Sequence, residues 1–105
     1  MTDEKMEEIV MSLVGFSGEG RSYAFEALRA ARQGDFTKSD EAMKKCNEAL
    51  LEAHHTQTDL IQNEINGVPT KVSILMVHAQ DHLMNALLAK ELIEELIEDK
   101  KLMIK

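Results

Sequence analysis

Helix-breaking residues fall at so few points in this chain that one kind of architecture is open to it. There is a single proline, Pro69, and apart from a cluster at positions 15, 18 and 20 the glycines stand at 34 and 67. Between these breaks run three segments whose apolar and small residues recur at spacings of three and four, the period of one helix face. In the first the stripe is Ile9, Leu13, Phe16, Gly20, Ala24, Ala27 and Ala31; in the second it is Ala42, Cys46, Ala49, Leu50, Ala53, Gln57, Leu60, Ile61 and Ile65. No stretch alternates at period two, so no strand is expected. The helices are predicted over about 3–32, 37–65 and 70–101.

The ends carry the residues that helix ends need. Gly34 suits a left-handed C-terminal cap. Thr37-Lys38-Ser39-Asp40 supplies an N-cap and a first-turn acid for the second helix, with Asp35 as the alternative cap. Pro69 has no amide hydrogen to lose and suits the first position of the third helix, so that helix is expected to begin at Pro69 or Thr70. Towards its other end Glu91, Glu94, Glu95 and Glu98 give way to Lys100, Lys101 and Lys105, the favourable order against the helix dipole.

Segments of about thirty residues are each roughly 45 Å long at 1.5 Å per residue. Two short connections make neighbouring helices antiparallel, so the expected fold is all-α, an up-down-up three-helix bundle, with residues 1–105 as one domain. Gly34-Asp35-Phe36 with its small flanking residues has the look of a helical repeat, but no second copy follows. The third helix has two apolar faces. One holds Val72, Leu75, Met76, Ala79, Leu83, Ala86, Lys90 and Ile93; the other holds Ile74, Val77, His78, Asp81, Leu88 and Leu92. A lone bundle needs only one such stripe, so the surplus face is expected to be buried by self-association.

Nineteen acidic against twelve basic residues give a formal charge of −7. That balance argues against nucleic acid or anionic lipid as a partner and favours a neutral or basic one. The single Cys46 leaves no intrachain disulfide, and with no signal-like N-terminus the chain is expected in the reducing cytosol. The longest charge-free stretch, Val72 to Gln80, falls far short of the roughly 20 apolar residues of a membrane span. Cys46 reads as a small core residue and the methionines as gap-filling or interface residues.

The densest polar cluster on an apolar background is Val77-His78-Ala79-Gln80-Asp81-His82-Leu83. On a helix His78 and Asp81 are three apart and His78 and His82 four apart, so their side chains leave neighbouring parts of one surface. Three uses fit. Two imidazoles and a carboxylate can bind a divalent transition metal, although the zinc-protease pattern needs a glutamate where Ala79 stands. A histidine can be a nucleophile, carrying a phosphoryl group on one ring nitrogen. The pair can also be interface histidines with no chemistry. His54 and His55 are adjacent, point about 100 degrees apart, and read as surface or packing residues. Gly15, Gly18 and Gly20 together forfeit roughly 2 to 3 kcal/mol of helix propensity. Close helix packing would offset that, or room beside a reactive side chain for a phosphoryl group.

Ser17-Gly18-Glu19-Gly20-Arg21-Ser22, Glu26-Ala27-Leu28-Arg29-Ala30-Ala31, Gly34-Asp35-Phe36 and Val77-His78-Ala79-Gln80-Asp81-His82-Leu83-Met84 together resemble the lactose/cellobiose-specific enzyme IIA component of the bacterial phosphoenolpyruvate-dependent sugar phosphotransferase system. The likeness runs over essentially the whole chain, and its specific part is the histidine segment. It implies a cytoplasmic phosphocarrier that forms homotrimers, takes a phosphoryl group from the phosphocarrier protein HPr, and passes it to the matching enzyme IIB for uptake of a disaccharide of the lactose or cellobiose/chitobiose type. It implies a phosphohistidine at His78, formed on Nε2, with Gln80 and His82 as supporting groups. It further implies that Asp81, one from each of three subunits, holds a magnesium ion at the trimer axis. Two other readings use the same residues: a noncatalytic helical adaptor whose second apolar face docks a partner helix, and a transition-metal protein using the histidines and the carboxylate.

Overall fold

The computed structural model describes residues 2–103. Three α-helices of thirty residues each account for nearly all of them: α1 is Asp3–Arg32, α2 is Phe36–Ile65 and α3 is Ile74–Met103. There is no strand among the described residues. The helices lie side by side in an elongated body of 54 × 22 × 20 Å. The α1 helix packs along both of the others, whereas α2 and α3 touch each other sparingly.

The breaks act as their chemistry dictates. Gly34 and Gly67 take positive φ, 81° and 86°, a region where other residues meet a Cβ clash. That turn lets the amide of Asp35 reach the carbonyl of Ala30 at 3.0 Å, and the amide of Val68 reach that of Asn63 at 2.8 Å. Both are the closing bonds of a Schellman end, which satisfies carbonyls the helix leaves orphaned. The α2 N-cap is Asp35, whose Oδ1 accepts from the Lys38 amide at 3.1 Å. Ser39, offered by its sequence as part of a cap, is instead buried in the helix with no partner for its hydroxyl among the described residues.

The start of α3 differs from the expectation. Pro69 and Thr70 precede the helix, which begins at Ile74 with Ser73 in front of it. The Ser73 hydroxyl accepts from the Met76 amide at 3.1 Å and its carbonyl accepts from the Val77 amide at 3.0 Å. A serine cap satisfies one of the orphan donors of the first turn, which Val68 ahead of a start at Pro69 has no side-chain oxygen to do, and this outweighs the suitability of proline for a first position. Ser73→Ala is expected to cost about 1 kcal/mol in chemical denaturation, the usual worth of such a cap. A variant as stable as its parent would show that the bond contributes nothing. Lys100 and Lys101 sit in the last turn as expected; Lys105 lies outside the described residues.

The core is built mainly of small residues. Gly20, Ala24, Ala27 and Ala31 of α1 and Ala42, Cys46, Ala49 and Ala53 of α2 are all buried. A Cβ added to Gly20 would overlap Leu50, so the two helices approach closely there. Leu13, Leu50 and Leu83 supply the larger buried side chains, each contributing roughly 1.5–3 kcal/mol. Burial pushes the Cys46 thiol up from its ordinary range, partly opposed by the nearby Lys90, in keeping with a core residue. On α1 the buried face is set by Val10 and Ser17 where Ile9 and Phe16 were expected; those two lie half-buried at its edge. On α2 burial stops at Leu60, and Ile61 and Ile65 stay exposed.

On α3 the inward face is Met76, Ala79, Leu83, Ala86, Ile93 and Ile97. Val72 and Leu75, expected on that face, are exposed, Val72 because it precedes the helix. The second apolar face is real and uncovered within one chain. Ile74 is 91 % exposed, and Val77, Met84, Leu88 and Leu92 are each about half exposed. Among the described residues, no helix is long and apolar enough to cross a membrane.

Candidate functional site

The first half of α3 carries the polar cluster, and helical geometry decides what each member meets. His78 and His82, one turn apart, come together: their Nε2 atoms are 3.0 Å apart and the rings meet edge to face at 4.5 Å. At that separation one ring donates its N–H to the lone pair of the other, so the pair holds a single proton between the two nitrogens. His78 is exposed and His82 half-buried. The outer ring therefore offers itself to a partner while the inner ring is held against the bundle.

Asp81 is exposed and makes no hydrogen bond or ion pair among the described residues. Its position matters more than its contacts. Val77, Asp81, Met84, Leu88 and Leu92 follow one another at spacings of three and four, so the carboxylate interrupts the uncovered apolar face of α3. Gln80 turns the other way. Its Oε1 accepts from Nε2 of Gln57 on α2 at 2.8 Å, and its own Nε2 donates to the Met76 sulfur at 3.4 Å. The amide thus ties α3 to α2 and does not meet His78. Gln57 was legible only as a member of the α2 stripe; a polar residue at an apolar position was the one sign that it had a buried partner.

His54 and His55 are exposed on α2, as expected of surface residues. Among the described residues, no three His, Cys, Asp or Glu side chains lie close enough to share a metal ion within one chain. Within one chain His78, His82 and Asp81 are therefore not gathered around one point: the imidazoles meet each other and the carboxylate stands apart.

The glycine cluster divides. Gly20 faces Leu50 across the close α1–α2 contact, while a Cβ at Gly15 or Gly18 would meet nothing within 4 Å. Gly18 lines a cleft of about 470 Å³ between α1 and α3 whose other walls include Ser17, Arg21, Ser22, Arg29 and His82. Close helix packing thus accounts for Gly20, whereas Gly18 and Gly15 stand beside open space, Gly18 in the cleft.

With this geometry in hand, four likenesses are specific. The family model for the lactose/cellobiose-specific IIA subunit of the phosphotransferase system matches residues 8–101. The lichenan-specific phosphotransferase enzyme IIA component of Bacillus subtilis is 47 % identical over 96 residues, which cover 91 % of this chain and 87 % of the relative. Among solved structures, the cellobiose-specific enzyme IIA of Bacillus anthracis superposes with a TM-score of 0.90 at 50 % identity, covering 98 % of this chain and 93 % of the other. The chitobiose IIA of Escherichia coli, solved in complex with HPr, superposes with a TM-score of 0.81 at 46 % identity, covering 94 % and 96 %. Matched along nearly its whole length in sequence and in backbone, the chain belongs to the lactose/cellobiose-specific enzyme IIA family of the sugar phosphotransferase system.

Proposed function

We propose that this chain is a cytoplasmic phosphocarrier of one domain, which accepts a phosphoryl group from phospho-HPr on His78 and gives it to the cognate enzyme IIB. The observation that carries the reading is the His78–His82 pair, an exposed imidazole whose Nε2 lies 3.0 Å from a second ring. The Nε2 lone pair of His78 attacks phosphorus, forming the N–P bond as the bond to the donor breaks, and the donor's leaving atom takes the electron pair. For that lone pair to carry no proton, the shared proton sits on His82 Nε2, which donates to His78 in the resting state and turns away from it as phosphorus approaches. Alignment and electrostatics supply most of the acceleration in such transfers, and the step reverses towards enzyme IIB. HPr as donor is supported by the relative solved in complex with it. The matched family is that of lactose and cellobiose and the relatives above are named for lichenan, cellobiose and chitobiose, so the reading extends to a sugar of the lactose or cellobiose/chitobiose type and to no single one.

The subunit is read as an up-down-up bundle. Tyr23 and Gly20 of α1 meet Lys45 and Leu50 of α2, and Phe36 and Gln57 of α2 meet Lys101 and Gln80 of α3, so contacts run in opposite chain directions in both pairs. The uncovered α3 face then becomes the contact between copies in a homotrimer. The chemistry of Asp81 fits a hard divalent cation such as magnesium, because it is an oxygen donor without a partner among the described residues. One chain offers one carboxylate, so three copies would hold the ion between them. When bound, the ion supplies neutralising charge to carboxylates that would otherwise repel.

Mass measurement after incubation with phosphoenolpyruvate and the general phosphotransferase proteins tests the carrier. One phosphoryl group, stable at neutral pH and lost in acid, is expected; an acid-stable adduct or none would defeat the reading. A separate expectation concerns assembly. Asp81→Leu should abolish magnesium binding and leave the trimer intact or about 1–4 kcal/mol more stable, since like charges leave an apolar interface. Sedimentation as a monomer would show that the cation, rather than the apolar face, holds the copies together.

A further inference from the structure

The cleft between α1 and α3 has a composition at odds with the rest of the molecule. It is lined by two of the chain's three arginines, Arg21 and Arg29, and by none of its nineteen carboxylates. In a chain of net charge −7 this concentrates positive charge in one hollow. Phe25 stands between the arginines in sequence, and the Arg21 guanidinium lies 5.8 Å from the centre of its ring, a cation–π contact between two residues that both line the cleft.

Two further features mark the hollow as a place for a ligand. Ser17, on its wall, is only 1 % exposed and its hydroxyl has no hydrogen-bond partner among the described residues. A buried hydroxyl left unpaired costs free energy that a bound acceptor would recover. Gly18 leaves open space where a side chain would project, at the expense of helix propensity. The cleft is also joined to the reactive pair, because His82 lines it and approaches His78 through Nε2.

From this we infer that the cleft is an anion seat, in which Arg21 and His82 hold the oxygens of the phosphoryl group carried on His78. The inference rests on the carrier reading and adds to it residues of α1. A phosphoryl group brings a charge of about −1.5 to −2 and three acceptor oxygens. Attached to His78 Nε2, it removes the acceptor to which His82 Nε2–H was donating. That donor is then redirected to a phosphoryl oxygen on the cleft side, where a guanidinium supplies parallel N–H bonds and Ser17 a hydroxyl. None of these groups bonds to phosphorus; they stabilise the charged product of transfer and so set where the equilibrium between phospho-HPr and the carrier lies.

The experiment compares wild type, Arg21→Gln and Arg21→Lys for the equilibrium and the rate of phosphoryl exchange with phospho-HPr. Alongside it, inorganic phosphate is titrated into the unphosphorylated proteins while the His82 imidazole resonances are followed. Arg21→Gln is expected to shift the equilibrium towards phospho-HPr by about tenfold or more, the scale of one hydrogen bond to a charged group. Arg21→Lys is expected to restore most of it, and phosphate should move the His82 resonances in wild type but not in Arg21→Gln. Loss of a mere docking contact would slow exchange and leave its end point in place, which would overturn the seat. An Arg21→Gln protein with wild-type equilibrium and wild-type phosphate response would overturn it as well. If wild type carries no phosphoryl group, the carrier reading fails by itself, and the phosphate titration still decides whether the cleft takes an anion.

Discussion

His78→Ala is expected to accept no label from phosphoenolpyruvate through phospho-HPr, while keeping the helix content and stability of the parent. The side chain is exposed on α3 and its polar contact among the described residues is with His82. Its removal therefore opens no cavity. Alanine is also the best helix former, so the change in stability should be within about 0.5 kcal/mol and tend upward. The chemical effect is the opposite in scale, because the attacking lone pair is gone. Radiolabel or mass on the variant gives the answer. If label persists, the acceptor is another residue, and His82, 3.0 Å away, is the one to test next.

Gly20→Ala should destabilise the protein by about 1–2 kcal/mol, although the same exchange in an unpacked helix would stabilise it by up to about 1 kcal/mol. The reason is the distance between α1 and α2. A new Cβ would stand 2.5 Å from Leu50 Cδ2 and 2.6 Å from its Cγ, with the Cys46 carbonyl oxygen at 3.4 Å. Leu50 is 2 % exposed, and moving its branch point means moving the core around it. Overpacking of this kind costs about 1–3 kcal/mol and outweighs the gain in propensity. Gly15→Ala is the internal comparison, since open space lies where its Cβ would go and stability should rise. Denaturant titration of the two variants decides the matter, and a stabilised Gly20→Ala would mean that the helices do not approach so closely.

These cases also mark what could be read before the fold was known. The ends of α1 and α2 were legible because a left-handed residue is nearly always glycine, and Gly34 and Gly67 stand where the periodicity stops. The start of α3 was not, because Pro69 is compatible with a first helical position without requiring it, whereas the Ser73 cap shows itself only once its hydroxyl is seen to meet the Met76 amide. Spacing alone brought His78 and His82 together, since four residues is one turn. It could not place Gln80, whose partner Gln57 comes from another helix, nor set Arg21 across a cleft from His82. Three glycines within six residues look alike in a sequence. They differ only in which wall of the bundle each one faces, and that depends on neighbours far along the chain.

The sparing contact between α2 and α3 bears on how the molecule opens. Since α1 alone packs extensively against both other helices, α3 can lift away while most of the α1–α2 interface survives, but nothing of comparable extent survives the loss of α1. Excursions of the native state should therefore form a ladder, with amides of α3 exchanging through a partial opening and those in the middle of α1 only through complete unfolding. The helix that bears the reactive histidines is then the one whose detachment costs least, and anything that covers its outer face will slow its exchange before it slows that of α1.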